Sequence, residues 1–249
     1  MRTDFAPQRA RANSQPVRGV RRAGRPSPRR PWLPSFSLAL WLTLLPGLAP
    51  GRELGPEDLP PPQTSGGKPL MTALKQRRTL REFAATDLSA QELSDLLWAA
   101  FGINRPEEGR RTAPSAMNSQ EIDLYIALER GLYVYQARPH RLRLVTAQDL
   151  RSKTSGQSFS NAPVVLILVA DLARLEKAKP ETRPFYAGFD AGCICQNIYL
   201  YCASTGLATV VHDLNRDPLA LAMGLGPEQK IMFAQAVGHP ANSAPGQRP

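Results

Sequence analysis

The pattern of apolar and polar positions predicts a sheet before anything else. The segments with strand character are 122–128, 132–135, 141–145, 164–170 and 230–238. Gly131 turns the chain between the first two, and the third alternates strictly, so an antiparallel meander is predicted. The unbroken apolar run 164–170 has the length of a strand and no polar face, and we therefore expect it to be a central strand buried on both sides.

The other periodic segments have the spacing of amphipathic helices. Helices are predicted at 70–78, 89–101, 185–204 and 215–223. Ser89 and Glu92 form a capping-box pair at the start of the second helix, and Gly102 ends it. The third is dense in alanine, glycine, cysteine and serine, and these small residues allow another backbone to approach closely.

The charge of the chain is concentrated at its N-terminus. The sequence has 249 residues and a formal net charge of +10, and residues 1–30 hold nine arginines against the single acid Asp4, which is +8 of that total. The sequence pI of about 10.0 therefore describes the tail rather than the part that folds. Net charge alone does not predict a nucleic-acid partner.

An apolar run at residues 32–45 follows the basic tail and is shorter than the ~20 residues of a membrane-spanning helix. The basic flank, apolar middle and small residues 49–51 are typical of a signal peptide. Ser27-Pro28-Arg29-Arg30-Pro31-Trp32-Leu33 resembles the twin-arginine signal, whose system exports folded proteins. We expect an exported protein, periplasmic or associated with the membrane through residues 32–48. A misassigned start within residues 1–25 would make it cytoplasmic.

These features set the predicted organisation of the chain. Residues 1–51 are the basic N-region with the signal or anchor segment. Residues 52–67 are rich in proline and glycine and are predicted to be a linker that forms no core element. The folded domain is predicted at 68–240, followed by a flexible tail at 241–249.

Residues 113–120, Ala-Pro-Ser-Ala-Met-Asn-Ser-Gln, interrupt the periodic pattern. Proline and small polar residues predict an irregular segment here. Ser115, Asn118 and Gln120 carry hydroxyl and carboxamide groups that donate and accept hydrogen bonds, which suits the edge of a planar heterocycle. From these residues alone, an ordinary Ser/Asn turn is the alternative.

A second polar stretch, residues 76–83, reads Gln-Arg-Arg-Thr-Leu-Arg-Glu-Phe at the end of a predicted helix. Its arginines and hydroxyl are suitable ligands for a phosphate. Arg110 and Arg111 could also approach a phosphate or a substrate. The composition of their loop, 103–113, favours solvated charges instead.

Arg-Arg-Thr-x-Arg-x-Phe followed by Ala-Pro-Ser-x-x-Asn-Ser-Gln resembles the FMN-binding pattern of the nitroreductase superfamily. The resemblance continues through 190–197, 206–211 and 237–240. The order and spacing of these motifs make it specific, since any one of them alone would be weak. It implies an α+β fold with a mixed, mainly antiparallel sheet flanked by helices, and an intertwined homodimer with helix 185–204 in its core.

The resemblance also implies which residues bind FMN. Arg77, Arg78 and Thr79 would hold the phosphate and the ribityl end, and Arg81 would lie near the pyrimidine ring. The backbone of 211–213 would face the reactive N5 edge. The candidates are Arg77, Arg78, Thr79, Arg81, Ser115, Asn118, Gln120, Val211, His212 and Asp213.

Ser115 and Asn118 match positions that contact the ring and the ribityl chain, and Gln120 is a further candidate. For His212, a packed or solvent-facing side chain is the alternative. Cys193 and Cys195 point to opposite sides of the predicted helix, and Cys195 and Cys202 lie two turns apart. We therefore expect buried, inert thiols at all three positions rather than a metal site or a disulfide. The scattered histidines give no support to a triad or a zinc hydrolase.

The implied activity is hydride transfer between a reduced donor and a small organic acceptor through flavin N5, with no catalytic side chain and no metal. NAD(P)H is the usual donor in the superfamily, and an exported protein would need another, such as a quinol. Nitro, quinone and enone compounds are the expected acceptors.

This sequence differs from the superfamily pattern in two ways, and each bears on an alternative function. Only Arg248 stands where superfamily members often have a C-terminal basic pair, which favours an exported flavin- or ligand-binding module without turnover as an alternative. Segments 97–103 and 111–115 resemble the azoline-oxidising dehydrogenases of peptide biosynthesis. Those enzymes use a Lys-Tyr pair that this sequence lacks, and azoline oxidation is therefore not predicted.

The export prediction can be tested with residues 1–67 fused to a reporter that must fold before export. We expect export to be lost when Arg29 and Arg30 are both replaced by lysine, because the twin-arginine route requires the arginine pair. Export is measured by the reporter's activity outside the inner membrane. Export that persists after the double replacement would contradict the assignment of the signal.

Overall fold

The structure, a computed structural model, describes residues 57–155 and 161–241. Its strands are β1 (Glu57–Asp58), β2 (Ile103–Arg105), β3 (Arg110–Arg111), β4 (Ile122–Leu128), β5 (Gly131–Gln136), β6 (Arg141–Thr146), β7 (Val164–Asp171), β8 (Ala208–His212) and β9 (Gln229–Gly238). Seven of them form one sheet of order β1-β6-β5-β4-β7-β9-β8, and β2 and β3 form a separate hairpin. Within the described ranges, every pairing in the large sheet is antiparallel.

Helices cover both faces of this sheet, which confirms the predicted α+β class. They are α1 (Leu70–Gln76), α2 (Ala90–Phe101), α3 (Arg151–Ser155), α4 (Arg183–Thr205) and α5 (Arg216–Met223). The capping box of α2 is present, with Ser89 and Glu92 bonded reciprocally. β7 is central and buried as predicted, and the predicted meander is β4 to β6.

Alternation along β7 divides the core into two apolar clusters. Leu166 and Leu168 belong to the cluster beneath α2 and α4. Val165 and Ile167 point to the opposite face and pack in the cluster that contains residues of α5. All four side chains are fully buried, and each such side chain contributes about 1.5–3 kcal/mol to folding.

The long helix α4 spans 23 residues, or about 35 Å at the usual helical rise. Ala191, Ile194 and Ile198 form part of its buried face. It ends at Gly206, which adopts a left-handed φ of 82° and donates its N–H to the carbonyl of Cys202. The predicted helix at 185–204 is therefore confirmed.

The structure corrects the boundaries of two predicted segments. The first helix stops at Gln76, because Arg77 is already extended with ψ of 122°. Beyond it, Leu80 donates its N–H to the carbonyl of Thr209, so the chain has left the helix to lie beside β8. The predicted loop 103–113 contains the β2–β3 hairpin, whose turn is eased by Gly109 at φ +65°.

The described part of the predicted linker 52–67 lies on the domain. Glu57–Asp58 pairs with the edge of β6. The Ser94 hydroxyl donates to the Pro60 carbonyl at 2.6 Å, and the Leu59 N–H donates to the carbonyl of His140 at 3.3 Å. Prolines lack an N–H donor but keep a carbonyl acceptor, so Pro60 still contributes a hydrogen bond to the domain.

The predicted signal or anchor segment at 1–51 and residues 242–249 of the predicted tail lie outside the described residues. The helices in the described ranges are too short or too polar to cross a membrane.

Candidate functional site

The loop of residues 115–120, which we call the Ser115 loop, has a strained backbone. Met117, Asn118 and Gln120 have positive φ angles of 54°, 55° and 47°. This left-handed conformation costs roughly 1–2 kcal/mol for most residues with a Cβ atom, and less for asparagine. Such strain persists only where other contacts fix it, and it concentrates at functional sites.

Hydrogen bonds from α4 and from the loop itself hold this backbone. Asp190 Oδ2 on α4 accepts from the Ala116 N–H at 2.7 Å. Ser115 Oγ accepts from the Gln120 N–H at 2.7 Å and donates to Glu121 Oε2 at 3.2 Å. The hydroxyl of Ser115 therefore shapes the loop, and its predicted contact with a cofactor stays a prediction.

The carboxamide of Gln120 has a similar internal role. Its Oε1 accepts from Arg111 Nε at 2.8 Å, and its Nε2 donates to the Gly109 carbonyl at 3.0 Å and to Asn118 Oδ1 at 3.3 Å. Gln120 thus ties the loop to the β2–β3 hairpin. Asn118 is exposed, and because only its oxygen is engaged here, its amide N–H groups can still donate to a ligand.

A buried pair of carboxyl groups lies directly behind the loop. Glu121 and Asp190 are 0% and 1% exposed, and their side chains contact each other. Within the described chain, Glu121 Oε1 and Asp190 Oδ1 receive no other hydrogen bond. Burial, and then the neighbouring charge of Asp190, raise the pKa of Glu121 to about 7. A neutral Glu121 can donate its proton to Asp190 and satisfy both oxygens. Our sequence reasoning missed Glu121, since nothing in the sequence shows that it is buried.

The predicted phosphate ligands line a cavity of about 720 Å³ at the other end of α4. Arg77 and Arg78 contribute to its wall together with Lys68 and Lys75. No carboxylate belongs to this lining. We call it the basic cavity. The two lysines were missed because they lie outside the Arg-Arg-Thr motif: Lys68 precedes α1, and Lys75 lies in its last turn.

Tyr199 on α4 connects three of the predicted residues. Its hydroxyl lies 3.1 Å from Thr79 Oγ1 and accepts from the Val211 N–H at 3.0 Å. The guanidinium of Arg77 lies over its ring, 5.2 Å from the centroid. Arg77, Thr79 and Val211, three of the predicted FMN ligands, therefore lie together around a tyrosine that the sequence did not single out, and their binding of FMN stays a prediction.

The other candidates lie at the edge of this region. Arg81 is exposed, between Leu80 and the bridge from Phe83 to Pro240. His212 Nδ1 donates to the Asp213 carbonyl at 3.1 Å, and burial lowers the pKa of His212, so its imidazole is neutral at pH 7. Asp213 is exposed and pairs with Arg216 at 2.7 Å.

One chain does not bring the two predicted motifs into one cavity. The Ser115 loop is held at Asp190, whereas the basic cavity is lined by Tyr199. These two positions are about 14 Å apart along the axis of α4. Ser115, Asn118 and Gln120 line a separate cavity of about 250 Å³.

The cysteines are free thiols, as expected from their spacing. Cys195 and Cys202 are buried, and burial raises the pKa of Cys195 to about 12. Cys193 is only half-buried, which corrects the prediction that all three would be buried.

This arrangement of motifs agrees with comparisons to known proteins. The profile of the nitroreductase family matches residues 74–239, which include both the Arg-Arg-Thr segment and the Ser115 loop. The chain belongs to the nitroreductase family. A crystal structure described as a nitroreductase, from Ralstonia eutropha JMP134, is 42% identical, covers 80% of this chain and 96% of its own, and has a TM-score of 0.73.

Other relatives are more distant members of the same group. A Methanocaldococcus jannaschii protein named as nitroreductase MJ1384 is 29% identical over 152 residues, covering 57% of this chain and 76% of its own. A nitroreductase from Desulfovibrio desulfuricans, solved in complex with FMN, is 23% identical. It covers 74% of this chain and 94% of its own with a TM-score of 0.50, and supports the shared fold.

The Glu121–Asp190 pair predicts a pH-dependent stability. The pKa of Glu121 rises from its ordinary value of 4.5 to about 7 on folding, so the folded state binds more protons than the unfolded state between these values. The free energy of unfolding should therefore fall as pH rises through this range, by at most about 1.4 kcal/mol per pH unit. Urea unfolding over this pH range measures it.

In this experiment Glu121→Gln should remove the contribution of Glu121 to the slope of the unfolding free energy against pH, because glutamine stays neutral at every pH. Glu176→Gln, at an exposed position, is the matched control and should keep the slope of the wild type. A Glu121→Gln protein with an unchanged slope would show that the pair does not hold the proton.

Proposed function

We propose that this protein is an FMN-dependent oxidoreductase of the nitroreductase type, which transfers hydride between a reduced donor and a small organic acceptor. The observation that carries the proposal is the basic cavity. Lys68, Lys75, Arg77 and Arg78 line it without a carboxylate, and they include the arginine pair of the family motif. A site with such an excess of donors is suited to a phosphate group.

The residues present fit FMN in size and chemistry. The volume of about 720 Å³ lies within the ~300–1,000 Å³ of small-molecule sites. Thr72 and Thr79 add hydroxyl groups near the arginines, and Leu80 and Leu207 add apolar surface. The flavin would supply the hydride chemistry, while these residues bind and orient it, which explains why the proposal needs no catalytic side chain.

A homodimer is part of this proposal, because one chain leaves the two motifs in different cavities. A second copy can bring its Ser115 loop to the basic cavity of the first. Exposed apolar side chains support such a partner: Phe185 and Phe189 on α4 are 74% and 60% exposed, and Met71 on α1 is 75% exposed. On α4, exposed Gly192 continues this stripe and has open space beside its Cα atom, which would let another backbone approach.

The donor and acceptor follow from the same proposal. NAD(P)H is the donor if the domain works in the cytoplasm, and a quinol or a partner protein replaces it if residues 27–51 direct export. Nitro, quinone or enone compounds are the proposed acceptors, since each can accept a hydride. Rapid reduction by NADH without any response to quinols would remove the reason to propose another donor.

The purified protein should be yellow and should release FMN on denaturation. Arg77→Ala should weaken FMN binding at least tenfold, because a charge-assisted hydrogen bond contributes about 1.5–3 kcal/mol. Fluorescence titration of the apoprotein with FMN measures this affinity. Arg143→Ala removes an exposed arginine of β6 and is the matched control, for which unchanged affinity is expected.

A colourless protein that takes up no added FMN would contradict the proposed cofactor. Unchanged affinity in Arg77→Ala would show that Arg77 is only a charge at the end of α1. Bound flavin that is reduced by dithionite but never reoxidised by nitro compounds or quinones would favour a binding module without turnover.

The dimeric site can be tested by mixing two defective variants. The double variant Arg77→Ala/Arg78→Ala loses the basic half, and Asn118→Gly loses a donor of the loop half while glycine tolerates its positive φ. If two chains share each site, a mixed dimer contains one site with both halves intact. We expect the unfolded and refolded mixture to bind flavin tightly at some of its sites.

The readout is the amount of FMN that stays bound after gel filtration. Each variant refolded alone is the control, and neither should retain FMN at the level of the wild type. A mixture that retains no more than the mean of the two variants would show that each site is formed within one chain.

A further inference from the structure

A second group of arginines lies next to the Ser115 loop. The cavity of about 250 Å³ between this loop and the β2–β3 hairpin is lined mainly by residues with hydrogen-bond donors in their side chains, and its lining contains no carboxylate. The residues that line it are Arg105, Arg110, Arg111, Ala113, Pro114, Ser115, Asn118 and Gln120. We call it the arginine cavity.

Arg111 is fixed in this cavity rather than solvated, in contrast to the expectation from sequence. Its Nη1 donates to the Phe101 carbonyl at 3.1 Å, and its Nε donates to Gln120 Oε1 at 2.8 Å. Its guanidinium also lies over the Phe101 ring, 4.6 Å from the centroid. These contacts leave the N–H groups of Nη2 available, and they prevent the guanidinium from reorienting.

The charge around Arg111 is not balanced by carboxylates. No salt bridge within the described ranges includes Arg111, and the nearby Asp123 is bound to Arg174 at 2.7 Å. Burial is the main cause that lowers the pKa of Arg111; Tyr135 and Asp123 oppose this shift, and the charges of Arg174 and Arg138 add to it. A half-buried cation that is bonded only to neutral acceptors is stabilised further when an anion completes its surroundings.

The other two arginines extend the same positive surface. Arg105 Nη2 donates to the Arg111 carbonyl at 3.3 Å, which places its guanidinium next to Arg111. Arg110 pairs with Glu108 at 2.7 Å, but both side chains are at least half exposed, so water screens this pair. Arg105 and Arg111 are thus the cations of this cavity without a carboxylate partner.

We propose that the arginine cavity is an anion subsite that binds a carboxylate or phosphate group carried by the substrate. Guanidinium groups offer paired N–H donors that match the oxygens of either anion. The volume of about 250 Å³ is below that of most small-molecule sites, so it suits one charged group rather than a whole ligand. Asn118, at its rim, provides an additional amide donor.

The identity of the ligand rests on the proposed function, which places the Ser115 loop beside the flavin. A substrate that reacts with the flavin can then extend its charged end to Arg105 and Arg111. The phosphate of FMN is a second anionic group that Arg105 and Arg111 can bind. The two sources are distinguished by whether the arginines affect flavin content or affect the choice between charged and neutral substrates.

The test compares two ligands of similar shape on the full-length protein with its bound flavin. 4-Nitrobenzoate is an anion, and 4-nitrobenzyl alcohol is its neutral counterpart. Calorimetry should show that Arg111→Gln and Arg105→Gln each weaken binding of 4-nitrobenzoate about tenfold or more, with no change for the alcohol. Reoxidation of the reduced flavin by each compound provides a second measurement and should show the same selectivity.

Matched controls keep the result interpretable. Arg143→Gln, an exposed arginine on β6, should leave binding of both compounds unchanged. Arg111 also holds the Phe101 carbonyl, and its replacement can disturb folding. Arg105 is exposed, so Arg105→Gln tests the proposal even if Arg111→Gln does not fold.

Each outcome assigns or rejects the subsite. Variants that lose flavin while the remaining holoprotein keeps the wild-type preference would overturn the assignment to a substrate group and would indicate that the site holds the FMN phosphate. Arg105→Gln that binds both 4-nitrobenzoate and FMN as the wild type does would overturn the proposal. Equal losses for the charged and neutral compounds would also overturn it, because they indicate a structural role.

If the protein does not bind FMN, the proposed function fails in a way that can be distinguished from failure of the anion subsite. A wild-type protein without flavin contradicts FMN binding, and inorganic phosphate then replaces the nitro compounds as the probe. Phosphate binding that Arg105→Gln weakens and Arg77→Ala does not would support the anion subsite independently of the flavin. Phosphate binding that neither variant changes would reject it.

Discussion

The packing of α4 against the sheet is the constraint on which the rest of this structure depends. Ala191, Ile194 and Ile198 on its buried face are fully buried, and the buried residues from Ala187 to Cys202 fix the helix over about 22 Å. Asp190 near one end holds the Ser115 loop, and Tyr199 near the other end contacts Arg77 and Val211. The same apolar packing therefore sets the positions of both halves of the candidate site.

Most of the fold could be predicted from periodicity, because the period of apolar positions directly reflects which face is buried. The run at β7, the capping box of α2 and the small-residue helix α4 follow from such local signals. The hairpin β2–β3 and the edge strand β1 could not be predicted, since both are short and exposed. Their pairing depends on partners that lie far away in sequence, such as β6 for Glu57–Asp58.

The candidate site was predictable in location but not in the roles of individual side chains. Ser115 and Gln120 were selected because their groups could bind a heterocycle, yet in the structure they bond to Glu121 and Arg111. A polar residue in an irregular loop can satisfy the loop or a ligand, and sequence does not distinguish the two. Tyr199 and Glu121 were missed for a related reason: their function arises from neighbours across the fold, not from a motif.

The distribution of charge gives the strongest link between structure and function. The N-terminal tail accounts for +8 of the net charge of +10, so the folded part is close to neutral. Within it, the linings of the basic cavity and the arginine cavity contain only positive residues among their ionised groups at pH 7. A nearly neutral domain that concentrates cations in two concave surfaces creates local positive potentials, which attract anionic ligands to those surfaces. This distribution of charge is the feature of the structure that best supports the proposed binding of anionic ligands.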